Sequence, residues 1–110
     1  QRFSQSINTG MPAVARKGDQ ERGPRHCTQP KRKGAFSTVS ANGIPMSGKG
    51  HKNNKHLLFV PGRPPRCVSH SKKLLTASPN VFAEGIRIGR VGDRTGCSKV
   101  VKGSPTVFAN

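Results

Sequence analysis

A chain of 110 residues makes one small domain, and with 31% hydrophobic residues, five Phe and neither Trp nor Tyr it cannot build a large aliphatic core. Lys and Arg number 20 against four Asp and Glu, a formal net charge of +16 that predicts attraction to phosphates, in nucleic acid or in anionic lipid. Gly and Pro (13 and 9) favour turns over helices, and the longest apolar run, Leu57 to Val60, is far too short to span a membrane.

Residues 1–10 are polar and read as an N-terminal arm, while 11–110 read as one domain built on a repeat. Met11 to Asp19 (MPAVARKGD) is the back half of a unit whose complete copies follow at Thr38 to His51 (TVSANGIPMSGKGH) and Asn80 to Asp93 (NVFAEGIRIGRVGD). The complete copies align without gaps at an offset of 42, with Val39/Val81, Ala41/Ala83, Gly43/Gly85, Ile44/Ile86 and Gly50/Gly92 coinciding. Each predicts a short strand, a Gly-containing turn, a second short strand and a Gly-led corner, with Asn42-Gly43 the strongest hairpin signal. Ser104 to Asn110 (SPTVFAN) repeats the front half, matching Ser78 to Glu84 (SPNVFAE). The two terminal halves complement each other, so they are expected to pair into a third hairpin that closes a ring and leaves no unpaired strand edge. The fold class is therefore all-β: a small pseudo-three-fold body of short β-hairpins.

Three irregular stretches, 20–35, 52–77 and 94–103, leave the units from equivalent corners and should gather at one end. They hold every His and Cys of the chain apart from His51, which stands at a corner where the other copies have Asp19 and Asp93. Three cysteines cannot all pair within one chain, which argues against a disulfide framework and for a mixed His/Cys metal site. The expected ligands are His26, His56, His70 and Cys97, drawn from all three loops. Cys27, Cys67 and His51 remain alternatives, and His26 competes with Cys27 because neighbours in an extended segment point to opposite sides. A metal there would pin loops that no core can hold, and its binding would become folding free energy. Lys31, Arg32, Lys33, Arg63, Arg66, Lys72 and Lys73 are expected on the same loops, facing outward. An enzyme is not expected, since four acidic residues leave little choice of general acid or base and no group orients a Cys/His pair.

Met-Pro-Ala followed by Gly-Asp, hairpins of the form Ser-Pro-x-Val-Phe-x-x-Gly-Ile, and Arg-Val-Gly-Asp ahead of a Cys loop together resemble the PAAR-repeat proteins, over Met11 to Asn110. The namesake motif is degenerate here, reading Pro-Ala-Val-Ala-Arg at Pro12 to Arg16, Pro-Met-Ser-Gly-Lys at Pro45 to Lys49 and Arg-Ile-Gly-Arg at Arg87 to Arg90. The stretches around His26-Cys27-Thr28, His56-Leu57-Leu58, Cys67-x-x-His70 and Gly96-Cys97 are similar to tail-tip members encoded by phages. The resemblance implies a cone with one zinc (or iron) ion near its point, held by three His and one Cys. It also implies a base that docks, one chain per trimer, on a trimeric β-helical spike, with Val39, Val81, Phe82, Val107 and Phe108 supplying that base. The setting it implies is the baseplate of a phage tail, where the tip meets the target cell envelope, and secondly a type VI secretion tube. The rival reading is a basic zinc-binding nucleic-acid protein such as a ribosomal protein, which accounts for the charge but not for the split repeat; on the favoured reading no specific nucleic acid is expected.

Overall fold

The computed structural model describes residues 11–110, so the arm expected at 1–10 lies outside the described residues. Eight short strands follow in chain order: β1 (Glu21–Arg22), β2 (Ser40–Ala41), β3 (Ile44–Pro45), β4 (His56–Val60), β5 (Arg66–His70), β6 (Phe82–Ala83), β7 (Ile86–Arg87) and β8 (Lys99–Val100). Among the described residues there is no helix.

The complete repeats fold as the hairpins β2–β3 and β6–β7, both antiparallel. Their turns put Asn42-Gly43 and Glu84-Gly85 at positive φ (56° and 75°, 50° and 77°), the primed turn whose twist suits two-residue hairpins. Glu84 adopts that conformation although it is not a turn residue by propensity. Its carboxylate compensates by accepting from the Thr38 amide at 2.9 Å and hydroxyl at 2.6 Å, which stitches one hairpin to the next and holds the carboxyl below its ordinary range.

The half-repeats form the third hairpin. Ala13 bridges Phe108, and the Val14 amide donates to the Val107 carbonyl at 3.0 Å, as Met46 donates to Val39 and Ile88 to Val81. The three back strands then close a ring in which Ala15 donates to Gly89, Gly89 to Ser47 and Ser47 to Ala15, at 2.8 to 2.9 Å. The ring pairs each back strand with the next, as the split repeat requires. At each corner a glycine with φ near 90° (Gly18, Gly50, Gly92) turns the chain, a conformation in which a side chain would be strained. Asp19 and Asp93 accept from the Arg16 and Arg90 amides (2.8 and 2.7 Å) and pair with the same arginines. At the second corner the His51 Nδ1 accepts from the Gly48 amide at 2.9 Å, so a neutral imidazole replaces the carboxylate. Burial and the nearby Arg32 guanidinium lower the His51 pKa and favour the neutral ring, and the Gly48 amide selects the tautomer.

Above the corners lies a second ring. Arg32, Leu74 and Val100 donate their amides to Asp19, His51 and Asp93 and accept from Gly18, Gly50 and Gly92, at 2.7 to 3.0 Å. All three are buried. Below, the core is one apolar cluster of Val14, Phe36, Ala41, Met46, Ala83, Ile88 and Ala109, with Val39, Val81 and Val107 packed against it. The loops converge from three sides onto one small cluster of side chains, so the body tapers into a cone.

Two expectations need correction here. The second loop is not irregular: β4 and β5 pair over five residues, from His56↔His70 to Val60↔Arg66, and make the longest hairpin among the described residues. Leu57 to Val60 is its outgoing strand, and the Pro-rich turn 61–65, with a cis Arg63–Pro64 peptide, obscured its return. Arg32 does not face outward. It is buried at 1% exposure against Glu21, also 1%, with Nη1 and Oε2 at 3.0 Å.

Candidate metal centre

Each loop delivers its donor through a local device. In the first loop, 25–28 runs beside β4: the Cys27 amide donates to Leu57, the Phe59 amide to Arg25, and His26 bridges Leu58. In the second, His56 and His70 stand opposite each other across β4 and β5, with ring centroids 4.3 Å apart. In the third, the Thr95 hydroxyl accepts from the Cys97 and Ser98 amides (3.2 and 3.0 Å), a tight turn that presents the thiol. Gly23 lets the first loop approach: a Cβ there would stand 2.1 Å from the Cys97 carbonyl oxygen and 2.6 Å from the His26 ring.

The structure brings His26, His56, His70 and Cys97 together, with one ligand atom from each inside a set spanning at most 4.8 Å. Cys97 Sγ is 3.4 Å from His56 Nε2. A tetrahedral zinc shell with its usual bond lengths has edges of roughly 3.3–3.7 Å, so the donors need close in by only about an ångström. Hydrogen bonding fits the same use. His56 Nδ1 contacts the Asn54 carbonyl at 2.8 Å, which fixes the ring and aims Nε2 inward. Both His26 nitrogens and His70 Nε2 are buried without a hydrogen-bond partner, a costly state that a bound cation would relieve. Burial, then the neighbouring His56, Lys72 and His26, lower the His70 pKa and favour the neutral ligand form. The cluster could hold a metal ion, and four protein donors would leave no open coordination position for a substrate.

The three alternative ligands lie elsewhere. Cys27 and Cys67 are joined in a disulfide, with Cα atoms 6.2 Å apart, which corrects the expectation that no such bond forms. Three cysteines leave one over, and that one is Cys97, the thiol of the cluster. A signal was present: if His26 and His70 meet, then Cys27 and Cys67, one and three residues away, must approach each other as well. His51 is the corner residue already described. Because the bond closes a 40-residue separation, Cys27→Ser/Cys67→Ser is expected to cost about 4 kcal/mol in urea unfolding while leaving metal content unchanged.

Directly beneath the cluster lies a buried polar layer that sequence reasoning missed. Glu21 Oε1 accepts from Asn53 Nδ2 at 2.9 Å and the Ser98 hydroxyl at 2.6 Å, while its other oxygen faces Arg32. Arg32 also donates to the Ser47 hydroxyl and the His51 carbonyl. The spacing carried a signal, since Glu21, Asn53 and Thr95 each stand two residues past a corner, at 19, 51 and 93.

The PAAR motif family matches residues 66–110. A comparison with curated proteins gives no match. Proteins of the family are structural and are associated with the spike tips of contractile injection systems. The matched stretch holds the last complete repeat and the closing half-repeat, and the three-fold ring joins them to equivalent units at Thr38 to His51 and Met11 to Asp19, so residues 66–110 carry a PAAR motif within a body of three like units.

Proposed function

We propose that this chain is the tip of the central spike of a contractile injection machine, sharpening it for passage through the target envelope. The observation that carries the reading is the base: three hairpins in one chain, related by a pseudo-three-fold axis and ending in a ring. Such a face can meet a trimer although it is itself a single chain. Phe82 and Phe108 stand at equivalent positions on it, 55% and 36% exposed, with Ile86 37% exposed beside them. Val39, Val81 and Val107 are half-buried and back this surface from the core. At the other end His26, His56, His70 and Cys97 would hold one zinc ion (the donor set also suits iron), which when bound supplies a rigid cross-link between the three loops. A cross-linked point resists sudden load better than thin packing alone. The stretches around His26, His56, Cys67 and Cys97 favour a phage tail baseplate as the setting, ahead of a type VI secretion tube.

The test is to titrate the chain against a trimeric β-helical spike and weigh the complex by light scattering. One chain per trimer is expected, with Phe82→Glu/Phe108→Glu weakening binding by at least about 100-fold. Three chains per trimer, or a variant that binds as well as the parent, would sink the reading.

A further inference from the structure

All four carboxylates are engaged within the fold: Asp19 and Asp93 with the corner arginines, Glu21 with Arg32, and Glu84 with Thr38. No acidic residue lies between Glu21 and Glu84, the stretch that contains β4 and β5. Cations are also set against cations, since Lys52 bridges Lys73 and Arg94 bridges Lys99 on the flanks below the metal cluster. Like charges directly opposite one another destabilise a strand pair, and among the described residues none of these four cations forms an ion pair. From that charged flank the β4–β5 hairpin projects beyond His56 and His70, carrying exposed Arg63 at its turn. Alternation along β4 puts Leu57 and Phe59 on the face away from His56, and they are 37% and 41% exposed. The Phe59 amide is bonded to the carbonyl of Arg25, whose side chain is exposed on the neighbouring segment.

We infer that this hairpin face is a docking surface for an anionic phospholipid bilayer. The cations match lipid phosphates, and Leu57 and Phe59 match the acyl boundary just beneath them. A nucleic acid offers the same phosphates, so a DNA arm in the experiment separates the two. The inference takes up the outward end of the proposed tip, yet it is read with the chain alone, so its failure leaves spike docking standing and a failure of docking leaves this result readable.

The experiment is flotation of the full chain with vesicles of phosphatidylcholine alone or with phosphatidylglycerol added, with bound metal measured to show that each variant is folded. Binding is expected only with phosphatidylglycerol present and should fall as salt rises. Arg63→Glu should weaken it by at least about fivefold, since one cation near such a surface contributes about that factor, whereas Arg87→Glu on the base changes the net charge equally and should have no effect. Leu57→Ser/Phe59→Ser should weaken it by about tenfold and abolish whatever binding survives high salt. Equal loss from Arg63→Glu and Arg87→Glu would reduce the effect to net charge and overturn the inference. So would a short DNA duplex that displaces the vesicles and loses affinity in the same hairpin variants.

Discussion

His56→Ala and Cys97→Ala are each expected to abolish metal binding and to lower the melting temperature by on the order of 20 °C. The size follows from how little else holds the upper half of the cone. The apolar residues form one cluster at the base and a small second one of Ala15, Leu74 and Val100. The loops above are secured by the disulfide, the polar layer and the donors themselves. Elemental mass spectrometry on protein purified without added metal should give about one zinc per chain in the parent and almost none in either variant. Adding a chelator should bring the parent down to the melting temperature of the variants. A parent that is metal-free and melts identically with chelator would remove the site, and with it the rigidity on which the proposed point depends.

The second large effect is expected at the ion pair beneath the cluster. Glu21 and Arg32 are fully buried, so removing either partner strands a charge in the core, and Glu21→Ala or Arg32→Ala should each cost about 3–5 kcal/mol in urea unfolding. The equivalent positions show what the fold tolerates instead, since Leu74 and Val100 occupy the place of Arg32. The double change Glu21→Gln/Arg32→Leu removes both charges, retains an acceptor for Asn53 and Ser98, and should come within about 1 kcal/mol of the parent. A double variant as damaged as the single ones would mean that the pair itself, and not the avoidance of a lone buried charge, sustains this layer.

How far these features were legible in the sequence depended on whether their signal repeats. The hairpins and the corners recur three times, one copy being split between Met11–Asp19 and Ser104–Asn110, and recurrence separates a constraint from chance. His26, His56, His70 and Cys97 could be placed together because their loops depart from equivalent corners. The β4–β5 hairpin occurs in one loop only and has a Pro-rich turn, so nothing in the repeat announced it. Arg32 was misplaced for a related reason. Composition assigns an arginine in a basic loop to the surface, and only the match with Leu74 and Val100 reveals a position that points inward. The disulfide required knowing first which histidines meet.

The closing of the ring also sets an order of events. Ala13 must find Phe108 across almost the whole described chain, and contacts of that separation form slowly because the loop they close is long. During synthesis His26, His56, His70 and Cys97 all emerge before Val107 does. The point can therefore be tied while the base is still open, with two hairpins formed and the third waiting for its front strand. Until that strand arrives the base lacks one of its three sectors and shows unpaired edges. A trimer that reads three equivalent sectors has nothing complete to grip on such a chain. On the proposed role, the arrival of the last strand would therefore decide which chains a trimer can take up.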